Sequence, residues 1–87
     1  MEQKKLCLLY PLATEKAIRM IEAENMMTFV VERTASKTTI KQQIEKMYKV
    51  LVRKVNTNIT AKGEKRAYAY LSRETPALDL ATRLGLL

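Results

Sequence analysis

The sequence predicts an α+β fold: a single four-stranded sheet, antiparallel or mixed, with helices packed on it, in the order β-α-β-α-β-β-α. Three observations lead there. Ile40, Ile44, Met47 and Tyr48 recur at the period of an amphipathic helix. The stretches VLVRKVNTNIT and EKRAYAYLS flank Ala61-Lys62-Gly63, a short glycine-containing connection of the kind that joins hairpin strands. MMTFVVER places Met27, Phe29 and Val31 on one side of a strand and Thr28 and Val30 on the other, so that strand should be covered on both faces.

The elements follow in order. Residues 6–9 read as a short strand ended by Tyr10-Pro11, since proline donates no hydrogen bond to a sheet ladder. Thr14 suits the N-cap of a first helix, with Glu15 in the turn where the helix dipole favours an acid. Ala17, Ile18 and Ile21 form its apolar stripe, and Asn25 can close it. After the MMTFVVER strand, Ser36 suits the N-cap of the second helix. Its outer face carries Lys37, Lys41, Glu45, Lys46 and Lys49, with Lys41–Glu45 and Glu45–Lys49 at pairing distance. In the hairpin the apolar positions change parity between Val52 and Val55, which calls for a bulge or strong twist. In the closing TPALDLATRLGLL, Thr75 is expected to cap and Pro76 to take the first helical position. Leu78, Ala81 and Leu84 should face the core, with Gly85 as the left-handed terminator and Leu86 folded back on the last turn.

Residues 1–87 are short enough to form one small domain, of a size at which a bound partner adds materially to stability. Two glycines and two prolines leave no flexible linker. The lone cysteine, Cys7, sits in the apolar run Leu6-Cys7-Leu8-Leu9 and reads as a small core side chain in a reduced, cytoplasmic setting. No apolar run approaches the roughly 18 residues that span a bilayer, so no membrane insertion is expected. Lys4 and Lys5 precede a short apolar stretch, but Pro11 interrupts it and no small-x-small cleavage pattern follows, which argues against secretion. The sequon Asn58-Ile59-Thr60 therefore reads as an unmodified strand segment. Catalysis is not expected. The chain has no histidine, no base beside its cysteine, no glycine-rich phosphate loop and no metal-ligand spacing, so no cofactor is implied. Glu22, Glu24 and Glu32 read as surface acids.

The charge is unevenly distributed along the chain. Its net value is +7, and residues 37–73 hold ten basic side chains against two acidic ones, while residues 1–36 balance five against five. An excess that persists across a helix and two strands points to a polyanionic partner, met by a single basic surface. Within this segment, KRAYAYLS places Tyr68 and Tyr70 on the same side of a strand. Arg66, Tyr68, Ala69, Tyr70 and Leu71 fit the longer ribonucleoprotein motif of RNA-recognition domains, with Ala67 in place of its glycine and Arg73 in place of its last aromatic. That gives one reading, a single-strand RNA-binding module acting off the ribosome. The tyrosines then either stack on bases or pack under a helix with the hydroxyls reaching solvent.

A second resemblance runs along nearly all of residues 8–87. YPLATEKAIRMIE, SKTTIKQQIEKMYKVLVRKVNTNITAKGEKRAYAYL and ATRLGLL together resemble the universal large-subunit ribosomal protein twenty-three family, in its archaeal form. Its most specific pieces are Thr14-Glu15-Lys16, Lys54-Val55-Asn56-Thr57 and Lys65-Arg66-Ala67-Tyr68. The resemblance implies a core protein of the large ribosomal subunit, cytoplasmic, bound to ribosomal RNA beside the mouth of the peptide exit tunnel among neighbouring ribosomal proteins. Bacterial relatives carry a long hairpin into the tunnel. Here only Ala61-Lys62-Gly63-Glu64 stands at that place, so the chain should not extend far inward.

Folded RNA offers phosphates, 2′-hydroxyls and splayed bases, so binding by shape and charge is expected. Lys54, Lys62, Lys65 and Arg66 are the foremost candidates for phosphate contacts, and the same basic segment adds Lys37, Lys41 and Arg53. Asn56, Thr57 and Asn58 could bond sugars or base edges, or else their own backbone. The resemblance further implies RNA contact at Thr14 and Lys16. It also implies, at Glu15 and Arg19, a docking surface for factors that meet the nascent chain, such as the signal recognition particle. For Glu15 the alternative is a glutamate that only complements its helix dipole.

Overall fold

In a computed structural model, residues 7–87 are described, and the Lys4–Lys5 pair and Leu6 lie outside that range. The elements are β1 (Leu8–Pro11), α1 (Glu15–Glu24), β2 (Met26–Val31), α2 (Lys37–Tyr48), β3 (Val52–Ile59), β4 (Lys65–Leu71) and α3 (Ala77–Arg83). They form the α+β arrangement expected, in the expected order. The sheet is antiparallel throughout, and its strands lie in the order β1-β2-β4-β3. β4 therefore sits between the two strands that flank it in space, β2 and β3, and carries most of the pairing.

Alternation along the strands sorts the side chains onto two faces. One face carries Met27, Phe29, Val31, Val55, Ala67, Ala69 and Leu71, all buried in a common core with Ile40 and Ile44 of α2 and Ala77, Leu80 and Ala81 of α3. The Phe29 ring stacks on Tyr48 of α2, with centroids 5.7 Å apart and planes 18° from parallel. β2 is buried at all six positions, as its two-sided apolar pattern requires. α1 touches both faces: Ile21 joins the helix-side core, while Ala17 and Met20 look onto the other side of the sheet.

The caps mostly follow the sequence. The Thr14 and Ser36 hydroxyls accept from the Ala17 and Thr39 N–H groups, 3.1 Å in both cases. Asn25 closes α1 in the left-handed conformation at φ 54°. Its side chain does more, donating to the Leu71 and Ser72 carbonyls at 3.0 Å each and accepting from the Ala77 N–H. One amide thereby joins the end of α1, the end of β4 and the start of α3.

Several local expectations are corrected, among them Pro76, which is the N-cap of α3 and not its first helical residue. β1 continues through Tyr10 and Pro11, with a bulge at Leu9; on an edge strand a proline need only accept, so it does not end the ladder. Thr75 does not cap α3: its hydroxyl bonds the Leu51 backbone, and the Asn25 carboxamide meets the first helical N–H instead. The α3 core stripe is Ala77, Leu80 and Ala81 with Leu84 half-buried, whereas Leu78 is 45% exposed. Met47 is likewise exposed, and Glu45 pairs with neither Lys41 nor Lys49. Its carboxylate accepts from the Val52 N–H at 3.0 Å, which ties α2 to the start of β3. The bulge read from the parity change falls between Val52 and Lys54. The chain closes as read, with Gly85 at φ 77° and Leu86 N–H bonded to the Ala81 carbonyl, the paired bonding of a Schellman end.

Candidate nucleic-acid interface

The second face of the sheet is the one that no core helix covers over β3 and β4. Register places its side chains in three rungs running from β2 across β4 to β3: Met26–Tyr70–Lys54, Thr28–Tyr68–Asn56 and Val30–Arg66–Asn58. Lys54, Asn56 and Asn58 are exposed, and Arg66, Tyr68 and Tyr70 are half-buried. The β2 members of the rungs are buried, with Thr28 only 4% exposed. Cations, amides and aromatic rings thus lie side by side on a frame held by backbone ladders. The Lys54 ammonium sits over the Tyr70 ring, 4.9 Å from its centroid. Both tyrosines lie on the face away from the α2–α3 core, half-buried in a cleft that they share with Lys16, Ala17 and Met20 of α1.

Arg66 is not a bare cation. Its Nε donates to the Glu64 carboxylate at 3.0 Å, and Tyr10 on β1 donates its hydroxyl to the same carboxylate at 3.1 Å. The Arg66 bond, followed by that from Tyr10, holds the Glu64 carboxyl below the ordinary glutamate range. Glu64, chiefly, and Tyr68 push the guanidinium above its usual value, so it stays charged at any working pH. The Tyr10–Glu64–Arg66 chain fixes the guanidinium at the turn end of the face, and its outer donors remain available in the guanidinium fork.

The β3–β4 turn is tight. Thr60 N–H bonds the Glu64 carbonyl at 2.8 Å, Gly63 N–H bonds the Thr60 carbonyl at 2.9 Å, and Gly63 adopts φ 88°, a value open mainly to glycine. Lys62 is exposed there.

Other members of the basic segment are placed elsewhere. Lys65 and Thr57 share the parity of Ala67, on the helix side of the sheet. Thr57 is half-buried there, and the Lys65 ammonium donates to the Ala35 and Arg33 carbonyls at 2.7 and 3.2 Å, tethering the loop between β2 and α2. Lys37 and Lys41 belong to α2, which packs on that same side by Ile40 and Ile44. Arg53 is the bulged residue and donates weakly to the Leu71 carbonyl at 3.4 Å. The ten basic residues therefore do not form a single surface. Those of β3 and β4 divide by parity, and the helix lysines fall behind the sheet. Lys65→Met should lower the stability of the free chain by about 1–2 kcal/mol, because a charge-assisted tether of a loop is lost. Urea unfolding reads that loss; an unchanged midpoint would show the loop holds itself.

At the other end of the face, Thr14 and Lys16 are exposed at the start of α1, with Thr14 engaged in its cap. Glu15 and Arg19 are also exposed, turned away from Ala17 and Ile21. What sequence reasoning missed is Thr28. Its alternation with Phe29 was legible, but its position beside Tyr68 depends on the β2–β4 register, for which nothing in the chain serves as a local marker. Among the described residues no group of three or more metal-ligating side chains occurs, and no helix is long and apolar enough to cross a membrane.

Comparison with known proteins places the chain among relatives. The family model described as Ribosomal protein L23 matches residues 6–78. The large ribosomal subunit protein uL23 of Pyrobaculum aerophilum is 50% identical over 74 residues, covering 85% of this chain and 91% of that protein. Its counterpart in Caldivirga maquilingensis is 55% identical over 74 residues, 85% of this chain and 86% of that one. With the family model spanning most of the chain and archaeal relatives identical at half or more of the aligned positions, the chain belongs to the ribosomal protein L23 family, whose members are structural constituents of the large ribosomal subunit in the cytoplasm and not enzymes.

Proposed function

We propose that the chain grips large-subunit ribosomal RNA with the open face of its sheet and the β3–β4 turn, beside the mouth of the polypeptide exit tunnel. The observation that carries this reading is the set of three rungs, in which Lys54, Asn56, Asn58, Arg66, Tyr68 and Tyr70 share one uncovered face. Lysine and arginine there neutralise phosphates, and the two asparagines supply the donors and acceptors that distinguish sugars and base edges. Lys16 and Lys62 extend the surface at its two ends. Lys37, Lys41 and Lys65 contribute only from the helix side, where a second RNA segment would have to reach them. The tight turn keeps this chain at the rim of the tunnel.

The exposed side of α1, with Glu15 and Arg19, then serves as a docking point for factors that meet the emerging chain, the signal recognition particle among them. Neighbouring ribosomal proteins at the exit port complete the set of partners.

Binding to protein-free large-subunit RNA, measured over a range of potassium chloride, should weaken steeply with salt. Lys54→Met and Lys62→Met should each reduce the log–log slope by about one. A flat salt response would sink the RNA reading. Sedimentation of a cell extract before and after ribonuclease separates the ribosomal role from a free single-strand module: the chain should travel with large subunits and leave them once the RNA is cut.

A further inference from the structure

Between α1 and the open face lies a cleft of about 250 Å³, bounded by Lys16 and Met20 of α1 and by Thr28, Arg66, Tyr68 and Tyr70 of the sheet. We propose that it receives one unstacked base of the bound RNA, laid on the Tyr68 ring, with the adjoining phosphates on Lys16 and Arg66. The inference rests on the RNA reading of the open face and names the part of the RNA that this corner takes.

Size is the first argument. The volume falls just below the roughly 300–1,000 Å³ usual for drug-sized ligands, so it suits one planar group rather than a folded segment. Chemistry is the second. The Thr28 hydroxyl lines the cleft in a residue only 4% exposed, and it bonds no other described residue. Among the described residues no buried side-chain oxygen lacks a partner, so solvent reaches this hydroxyl through the cleft, and a base edge, which both donates and accepts, can bond it in either sense. The two tyrosines also differ. Lys54 already occupies one side of the Tyr70 ring, whereas among the described residues no ring or cation lies over Tyr68. Tyr68 is therefore the open stacking platform, with Tyr70 braced beside it. Charge is the third argument: Lys16 and Arg66 are both cations, and no carboxylate lines the cleft. An apolar partner would leave Lys16, the outer donors of the Glu64-paired Arg66 and the hydroxyl unanswered. Asn56, next to Tyr68 in the same rung, is placed to meet whatever part of the nucleotide projects beyond the ring.

The test uses the full chain and protein-free large-subunit RNA from a related archaeon, with affinity measured across salt for Tyr68→Leu, Tyr68→Phe, Thr28→Val and Lys54→Met. Tyr68→Leu should weaken binding about 5- to 150-fold, the 1–3 kcal/mol of one base on one aromatic ring, with the salt slope unchanged. Tyr68→Phe, which keeps the ring, should bind within about 2-fold of the parent. Thr28→Val, which keeps the shape and removes only the hydroxyl, should cost about 5-fold, near the 1 kcal/mol of a hydrogen bond. Melting curves of the free variants guard against a folding defect. If Tyr68→Leu and Thr28→Val bind as the parent does while Lys54→Met still lowers the slope, the cleft holds no base and the RNA reading stands. If no variant alters binding and the salt response is flat, both fall.

Discussion

Replacing Asn25 by alanine should destabilise the free chain by about 3–4 kcal/mol. Roughly 1 kcal/mol comes from holding alanine at φ 54°, in the left-handed region where its Cβ crowds the following carbonyl. The rest comes from the bonds to Leu71, Ser72 and Ala77, whose backbone groups would be left without their partner in a half-buried place. Against the 5–15 kcal/mol usual for a whole domain this is a large share, and it should lower the melting temperature by about 15 °C or more. Asn25→Gly should recover about 1 kcal/mol, since it relieves only the backbone. Asn25→Asp keeps the acceptor for Ala77 but turns a second oxygen toward two carbonyls, so it should do no better than alanine. Thermal unfolding of the three variants reads the ranking, and a loss below 1 kcal/mol for alanine would show that the three elements meet without this amide.

Phe29→Ala should be of the same order, about 3–5 kcal/mol, because Phe29 is fully buried at the middle of the sheet and its ring backs onto Tyr48. The cavity would open between β2 and α2, where backbone ladders on one side and the Ile40–Ile44 ridge on the other limit collapse. Phe29→Leu, which fills most of the space, should cost less than half as much. Denaturant unfolding must be done on the free chain. Bound RNA stabilises the folded state by mass action and would hide a deficit of this size. Equal losses for leucine and alanine would mean that the stacking on Tyr48, and not volume, dominates the position.

Most of the architecture was readable because local signals agreed. Ser36 with Ile40 and Ile44 marked α2, the glycine turn marked the hairpin, and the parity change marked its bulge. The core stripe of α3 was only partly legible, for a physical reason: its several closely spaced leucines offer two competing stripes to so short a helix. The choice between them is made by Asn25, 52 residues away, which anchors the first turn at Ala77. The candidate site divides similarly. Asn56, Thr57 and Asn58 were expected to share a surface with Lys54; alternation leaves the two asparagines there and turns Thr57 to the helix side. Lys65 and Arg66, adjacent in the chain, necessarily point to opposite faces, and the carbonyls that occupy Lys65 lie 30 and 32 residues away. Counting charge along a segment could not anticipate that folding would sort it front from back.

β3 is one of the two edge strands, and no other strand pairs its outer row of peptide groups. Strands left open in this way tend to recruit copies of themselves, and a run of valine and isoleucine there would invite ribbon growth. Here Arg53 and Lys54 project at that border, so two molecules approaching edge to edge would meet like charges first. A chain synthesised ahead of its RNA should therefore remain dispersed while it waits, and the same cations that fasten it into place would serve beforehand to keep it apart from its siblings.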